Sequence, residues 1–416
     1  MTRGWGQPGR TASGPARAEL LRQRNLALAL GTIARAGRCA RAQLAEQTGL
    51  TKATVSSLAD VLIASGLVVE GDPDRGLVGR PGSPLGLDPS GPVGLGVEVN
   101  VDYVSACVVD LAGEVRASAV LASDNRGIDA REVCERAARL ARSLLSSPPV
   151  SGLRVAGLGV ALPGLVDTTG VLRRAPNLRD LEGIAAAAVI AELLPELPST
   201  VACGNEANLA ALAELWFTDH EGRDDFVRVS GEIGVGAGIV IGGELWQGTN
   251  GLAGEIGHVF VDPGGPRCTC GARGCLEHIA GQEALLRAAG AYGGPATALG
   301  SGLGSVHELV TLARSGDGAT LDALERAGTA LGVALAAVVN VVDVPVVVLG
   351  GLYADIAPWL ASAIVRELEQ RVVSYPWAPT EVAVSPLGAG AAVRGAAGLA
   401  IRAVLDDPAS WHPDTA

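Results

Sequence analysis

Aromatic side chains are scarce in this sequence, at 3% of its 416 residues, whereas 48% of the residues are hydrophobic and 57 are glycine. With so few rings, a core must be filled mainly by aliphatic side chains, and the glycines indicate numerous turns. The length suggests two or three domains rather than one.

Lysine is nearly absent, and Lys52, the only one, lies in a basic first segment. Residues 1–82 contain eleven Arg and Lys against six Asp and Glu, a net charge of +5. Because the whole chain carries −12, residues 83–416 carry −17. A basic head on an acidic body is typical of a nucleic-acid-binding module joined to a second domain. A basic disordered tail without a partner has the same charge pattern, so charge alone leaves both open.

A long uninterrupted hydrophobic run is also missing. The longest, Leu331–Leu349, is broken by Asn340, Asp343 and Pro345, which predicts a buried helix followed by a strand rather than a membrane span. We expect no secretory signal, since no apolar segment follows the arginine-rich start before Leu26. These absences predict a cytoplasmic protein with no membrane partner.

The segment 19–88 has the pattern of a winged helix-turn-helix domain, and the Gly-, Pro-, Ser- and Arg-rich residues 1–18 before it are expected to be a disordered basic tail. Helical periodicity begins at Glu19, and a later helix is predicted over about 52–64. The motif has a small residue that lets two helices cross closely, a glycine for the turn, and two apolar residues that seal the pair. These residues are Ala45, Gly49, Val55 and Leu58.

Polar side chains in the N-terminal half of the helix over 52–64 are candidate base contacts, because that half of such a helix reaches base edges in the major groove. A strand over 66–70 and a returning hairpin over 77–87 predict the wing, whose tip residue Arg80 is placed to meet a minor groove or a phosphate. The alternative is a three-helix packing module that never meets DNA. The candidate DNA-binding residues are Lys52, Thr54, Ser56, Ser57 and Arg80.

Residues 89–416 alternate strands and helices, which predicts an α/β body. The alternation starts with a strand over 93–100 and ends with a helix over about 389–404.

One histidine and three cysteines fall within eighteen positions of this body, whereas the other four cysteines are isolated. Thiolate and imidazole are the ligands that tetrahedral zinc prefers, and four of them make a closed, structural site. Gly271 and Gly274 let the loop fold back so that its sulfurs converge. A disulfide or three unrelated buried thiols is the alternative, which a cytosolic, reduced chain disfavours. The candidate zinc ligands are His258, Cys268, Cys270 and Cys275.

Two carboxylates, Glu255 and Glu277, lie beside this cluster. A zinc-bound histidine keeps one ring nitrogen for a second partner. If that nitrogen of His258 and the two carboxylates face a cleft, they form a set of fixed donors and acceptors that suits a polyol.

The pattern GxxGLAGEIGH followed by CxCGxxGCLE over residues 248–277 resembles the signature of the ROK family (repressors, open reading frames and sugar kinases). The resemblance implies an actin-like, two-lobed sugar-kinase fold. Lobe one would be about 89–205 with the C-terminal helix 389–404, and lobe two about 206–388. An N-terminal winged helix is similar to that of ROK regulators, and ROK kinases lack it.

By the same resemblance, Asn205, Glu255, His258 and Glu277 would hold the hydroxyl groups of a sugar, and the alternative for each is a surface or capping role. Glu206 keeps an acid group at the catalytic position and is a fifth candidate to bind a hydroxyl. The asparagine lies in GNEANLAALAE, which resembles the family's asparagine–aspartate motif. The kinases carry aspartate where this chain has Glu206, and a general base displaced by a methylene can lose a factor of about a hundred in rate. The five residues are Asn205, Glu206, Glu255, His258 and Glu277.

The phosphate-binding turns also depart from the kinases. The family's Asp-x-Gly-Gly-Thr turn is replaced by residues 98–102, Glu-Val-Asn-Val-Asp, so side chains block the approach and Asp102 lies where phosphate would bind. Each like-charge pair at about 4 Å costs about 4 kcal/mol before screening. The second turn, 232–238, has lost its Gly-Thr opening and gained Glu232, and Gly350-Gly351, similar to the family's adenosine contact, suits simple packing equally well.

These features predict a ROK-family transcriptional regulator, a repressor, that binds operator DNA as a homodimer or tetramer and senses a sugar or sugar derivative, with a structural Zn²⁺ and no catalytic residue. The competing hypothesis is an ATP-dependent hexose or N-acetylhexosamine kinase with an accessory DNA-binding head. A scaffold whose sugar and zinc sites are relics is the third.

Overall fold

Thirteen α-helices and fifteen β-strands lie in the part of the chain that this computed structural model describes, residues 15–71, 83–218, 224–291 and 301–411. The helices are α1 Pro15–Ala36, α2 Arg41–Thr48, α3 Lys52–Ala64, α4 Ala130–Leu145, α5 Ala186–Glu192, α6 Glu206–Phe217, α7 Glu277–Ala280, α8 Gln282–Ala288, α9 Ser301–Ser315, α10 Gly318–Val342, α11 Leu352–Asp355, α12 Ala357–Arg371 and α13 Ala391–Asp406. The strands are β1 Arg38–Cys39, β2 Val68–Glu70, β3 Leu85–Leu87, β4 Val93–Val99, β5 Tyr103–Asp110, β6 Val115–Ala122, β7 Val155–Leu162, β8 Leu165–Val166, β9 Leu172–Arg174, β10 Val201–Asn205, β11 Phe226–Gly231, β12 Val235–Ile241, β13 Glu244–Leu245, β14 Val346–Gly351 and β15 Glu381–Val384.

The chain divides into two compact units. The first comprises Met1–Pro92 and Ile401–Ala416, and the second comprises Val93–Ala400.

In the first unit, α1, α2 and α3 form a helical cluster beside a three-stranded sheet ordered β1-β3-β2. Its core is aliphatic, with Leu30, Leu44 and Val55 fully buried. The helix predicted over 52–64 is confirmed as α3, whose first turn is capped where Thr51 Oγ1 accepts the N–H of Thr54 at 3.2 Å.

The predicted wing is described only in part. β3 pairs antiparallel with β2, with Val69 opposite Gly86. β2 lies within the strand predicted over 66–70, and β3 lies at the end of the returning hairpin predicted over 77–87. The residues between them, 72–82, lie outside the described residues, and the candidate DNA contact Arg80 is among them.

The first helix begins earlier than the sequence predicted, at Pro15 instead of Glu19. Proline has a fixed φ and no N–H, so it is well accommodated in the first turn of a helix, where that N–H would have no partner. Residues 15–18, assigned to the disordered tail from composition, are therefore helical, whereas residues 1–14 lie outside the described residues.

The second unit contains two five-stranded mixed sheets, ordered β10-β7-β4-β5-β6 and β13-β12-β11-β14-β15. In the first, β4 pairs antiparallel with β5 and parallel with β7. In the second, β11 likewise pairs antiparallel with β12 and parallel with β14. Helices alternate with these strands, and the two sheets share one arrangement, which confirms the predicted α/β class.

The long apolar run near residue 340 forms a helix and then a strand, as predicted. α10 ends at Val342, and Asp343 turns the chain with φ 59° before β14 begins at Val346. Two segments, Gly318–Val342 and Gly388–Asp406, have the length and hydropathy of a membrane span, but 50% and 61% of their apolar windows are buried inside the protein, as in core helices.

Candidate sugar and metal sites

The four candidate zinc ligands lie together, with one donor atom from each within 4.8 Å of all the others. His258 Nδ1 lies 3.7 Å from Cys268 Sγ, and Cys270 Sγ lies 3.7 Å from Cys275 Sγ. All seven cysteines are free, so the disulfide alternative is not supported. Three thiolates and one imidazole in a cluster of this size are the donor set of a closed tetrahedral zinc site.

A tight loop positions the three sulfurs. Cys268 N–H donates to Ala272 O at 2.8 Å, and Gly271 N–H donates back to Cys268 O at 3.0 Å. Gly274 has φ 66°, and a Cβ built there would lie 1.9 Å from Asp262 O. Only glycine fits this turn, because a side chain would collide with the backbone before Cys275 could reach the cluster.

His258 presents its two ring nitrogens in different directions. Nδ1 faces Cys268, while Nε2 lies 3.9 Å from Glu255 Oε2. A metal on Nδ1 would fix the ring and leave Nε2 for Glu255 or for a ligand. The geometry thus connects the metal cluster to the candidate polyol site.

Asn205 ends β10 and caps α6. Its Oδ1 accepts the N–H groups of Ala207 and Asn208 at 2.9 and 3.0 Å, and its Nδ2 donates to Gly164 O at 2.9 Å. The capping alternative raised by the sequence is therefore present in the structure, and a sugar contact by Asn205 would have to coexist with it.

Glu206, the first residue of α6, occupies the middle of an acidic cluster. Its pKa is raised well above the usual value by burial and then by the charges of Glu98, Glu232 and Glu255. Its Oε2 is buried without a hydrogen-bond partner. A carboxyl in such a place binds a proton more strongly than a free one does, and it can donate as well as accept a hydrogen bond.

Glu255 connects the acidic cluster around Glu206 with the candidate zinc ligand His258. Its pKa is raised by burial, with the charge of Glu277 acting in the same direction and His258 opposing both. Glu277 begins α7, and its Oε2 would lie 2.6 Å from a Cβ built on Gly234. Glu255 therefore interacts electrostatically with Glu206 on one side and with His258 and Glu277 on the other.

The turn that replaces the kinase phosphate loop is filled by side chains. Glu98 is 2% exposed, and it accepts hydrogen bonds from Tyr103 at 2.7 Å, Ser105 at 3.2 Å and Asn100 at 3.4 Å. Burial raises its pKa in spite of these three donors. Asp102 is also buried.

The opposite turn adds a further acid. Burial, followed by the charges of Glu98 and Asp102, raises the pKa of Glu232 to about 8. Three carboxylates, those of Glu98, Glu206 and Glu232, line a cavity of about 10 Å³ together with Ser230. That volume holds about one water molecule.

Arg228, which lines this cavity, is paired with a carboxylate. Arg228 Nε donates to Glu214 Oε2 at 3.2 Å, and both side chains are almost fully buried. The guanidinium packs on Gly350, where a Cβ would lie 2.2 Å from Arg228 Nη2. Gly350, which resembles the family's adenosine contact, thus packs against this chain's own arginine.

The candidate DNA-binding side chains on α3 differ in exposure. Lys52 and Ser57 are exposed, whereas Thr54 and Ser56 are half-buried. Thr54 Oγ1 lies 2.9 Å from Thr51 Oγ1, so its hydroxyl also takes part in the helix cap.

Two residues of interest were missed from the sequence. Asn208 is 3% exposed with a buried, unpartnered Oδ1, and its place in the Asn-Glu-Ala-Asn motif was the available signal. Trp411 Nε1 donates to Ser65 O at 3.2 Å, a contact across 346 residues for which the sequence carries no local signal.

A winged helix-turn-helix head joined to an α/β unit of two similar sheets defines a DNA-binding regulator built on a sugar-kinase type of fold. The ROK family model matches residues 94–403, and the MarR family model matches residues 24–76. The chain therefore belongs to the ROK family, and it carries a MarR-type DNA-binding domain at its N-terminal end.

Similar proteins include both regulators and kinases. The xylose repressor of Bacillus subtilis (strain 168) is 28% identical over 386 residues, 92% of this chain and 96% of that protein. A crystal structure of a ROK family transcriptional regulator, homolog of E. coli MLC protein, has a TM-score of 0.75 at 26% identity, covering 93% and 97% of the two chains. A ROK family glucokinase from Streptomyces griseus, in complex with glucose and AMPPNP, has a TM-score of 0.64 at 28% identity and covers 74% of this chain and 99% of its own. The regulators thus match the chain with its head, and this glucokinase matches about three quarters of it.

Proposed function

We propose that this protein is a sugar-responsive repressor that binds operator DNA through its head and releases it when a sugar binds to the second unit. The observation that carries the proposal is the coexistence in one chain of a winged helix-turn-helix head with a buried cluster of carboxyl groups beside the His/Cys cluster. Lys52, Thr54, Ser56, Ser57 and Arg80 are the proposed DNA contacts. A homodimer or tetramer in the cytoplasm would present two heads to a palindromic site.

The proposed sugar site comprises Asn205, Glu206, Glu255, His258 and Glu277. Zn²⁺ bound by His258, Cys268, Cys270 and Cys275 would have a structural role, fixing the imidazole and the start of α7, since four protein ligands leave no open position for chemistry. Fixed carboxylates and one imidazole suit hydroxyl groups, each of which can both donate and accept.

The charges at this site favour a sugar without phosphate or carboxylate. Burial raises the pKa values of Glu98, Glu206, Glu232 and Glu255, and the charges of the other three raise that of Glu206 further. Arg228, the cation that lines the cavity in the described residues, is engaged by Glu214. An anionic ligand would add a further like charge in a buried region. A xylose repressor is among the relatives, so D-xylose is the first effector to test.

Phosphoryl transfer is not part of the proposed function. A kinase needs a positioned base and a cradle that stabilises negative phosphate oxygens. By the family resemblance, Glu206 stands in place of the aspartate of the kinases and is one methylene longer, and burial raises its pKa. By the same resemblance, Glu98, Asp102 and Glu232 stand at the positions of the phosphate cradle, and the pKa of Glu232 is also raised. Because some relatives are named as kinases, ATP-dependent sugar phosphorylation is measured as the alternative.

The test is operator binding, followed by fluorescence anisotropy on DNA from the protein's own promoter region, with D-xylose and a panel of neutral monosaccharides. We expect tight binding without sugar and a 5–150-fold weaker affinity with the effector, the range that about 1–3 kcal/mol of coupling produces. ATP consumption is measured on the same samples. Rapid sugar-dependent ATP consumption, or a head that ignores duplex DNA under all conditions, would contradict the proposal.

A further inference from the structure

Helix α13 contacts the acidic cavity at its first turn. Ala391 and Ala392 line the cavity together with Glu206 and Glu232. The helix belongs to the second unit up to Ala400, and its last turns, from Ile401, belong to the first unit. One continuous helix of about 24 Å therefore has its two ends in different units.

Glycines bring the backbone of α13 into direct contact with α6, which begins with the sugar-site residue Glu206, and with strands β4 and β7. A Cβ on Gly395 would lie 1.9 Å from Leu209 O in α6, the helix that begins with Glu206. A Cβ on Gly159 of β7 would lie 1.9 Å from Ala396 O, and one on Gly96 of β4 would lie 2.1 Å from Val393 O. With backbones this close, a shift of α6 cannot be absorbed by side-chain rearrangement and has to displace α13.

The segment that follows α13 is hydrogen-bonded to α3, the second helix of the helix-turn-helix, within the first unit. After the helix, Asp407 N–H donates to Ala403 O at 3.1 Å, and Pro408 is buried. The chain then places the Trp411 indole so that Nε1 donates to Ser65 O at 3.2 Å. Ser65 is the C-cap of α3, and a carbonyl at that position has no partner within the helix.

We infer that α13 and Trp411 carry the state of the sugar site to the C-terminal end of α3, with Trp411 as a positioning residue for operator binding. A sugar that moves Glu206 moves α6, α6 displaces α13, and the indole shifts the end of the helix that enters the groove. The inference rests on the proposed function, since it assigns the route by which a sugar acts on DNA affinity.

The test compares Trp411→Phe, which keeps an aromatic ring and removes the N–H donor, with Trp377→Phe as the matched control. Trp377 is 82% exposed and belongs to the second unit. The measured quantity is the ratio of operator Kd with and without D-xylose or another responding monosaccharide of the panel. We expect the ratio to fall at least about fivefold in Trp411→Phe and to stay unchanged in Trp377→Phe. Sugar affinity of the DNA-free protein, followed by calorimetry, should stay the same in both.

A second measurement, made first on the wild-type chain, keeps the inference testable if Trp411→Phe is too unstable for binding assays. Hydrogen exchange of the wild-type chain should show that sugar changes protection at residues 65–67 and 403–411 together, and Trp411→Phe should uncouple the two segments. A wild-type protein that responds to sugar while Trp411→Phe keeps the full ratio overturns this inference alone. A wild-type protein that responds to no sugar of the panel overturns the proposed function as well.

Discussion

Glu232 shows how a single buried residue makes the stability of the fold depend on pH. Its pKa is raised by burial and by Glu98 and Asp102 to about 8, whereas an unfolded chain has the ordinary value near 4.5. The folded state therefore binds the proton of Glu232 more tightly than the unfolded state does. The stability that this group contributes is fully present below pH 4.5 and is lost as the pH rises toward 8.

From this sign we predict that Glu232→Gln is more stable than the wild type at pH 8 by at least about 1 kcal/mol, and that the difference disappears near pH 4.5. The amide resembles the protonated acid, so it removes only the cost of ionisation. Thermal unfolding of both proteins across this range measures the effect, and Glu369→Gln, on an exposed surface, is the control. A gain in stability that is independent of pH would refute the assignment.

Cys268 is one of the four candidate zinc ligands, and a single substitution there tests the whole set. We predict that Cys268→Ser loses zinc and that the sugar response of operator binding fails before operator binding itself does. Elemental analysis and anisotropy measure the two effects, and Cys203→Ser, a cysteine outside the cluster, is the control. An unchanged zinc content would rule out this ligand set.

At the scale of elements, α3 is the part of the head that the sequence predicted best. Its start is marked by Thr51 and its inward face by Val55, Leu58 and Leu62, so local signals were sufficient.

We predict that Lys52→Ala weakens operator binding and lowers the slope of log K against log salt by about 1, as expected for one lost phosphate contact. Arg139→Ala, an exposed arginine of α4, should leave the slope unchanged, and an unaltered slope for Lys52→Ala would argue against a phosphate contact there.

Elements were predictable where a local pattern determined them. The strand predicted over 93–100 is β4, which ends one residue earlier, at Val99, and the four candidate zinc ligands were found because their spacing is visible along the chain. The predicted start of α1 was wrong because the composition of residues 1–18 indicated disorder, whereas the helix begins at Pro15. Neither the Trp411–Ser65 contact nor the pairing of Arg228 with Glu214 could be predicted, because each depends on tertiary packing between segments with no shared local signal.

At the scale of the whole molecule, the sign of the charge in the second unit should decide which sugars the protein senses. Each phosphate oxygen within about 4 Å of one of these carboxylates would face about 4 kcal/mol of repulsion before screening, of which a part is relieved by protonation of Glu206 and Glu232. We predict that D-xylose binds at least about 100-fold more tightly than α-D-xylose 1-phosphate. If another sugar of the panel is the effector, we predict the same difference between that sugar and its 1-phosphate. Calorimetry at pH 8 measures both affinities. Glu98→Gln should narrow the difference by removing one buried charge, while Arg139→Ala should leave it unchanged. A phosphorylated sugar that binds as well as the neutral one would show that these acids do not face the ligand, since a buried cluster of one sign cannot be indifferent to the charge of a molecule placed against it.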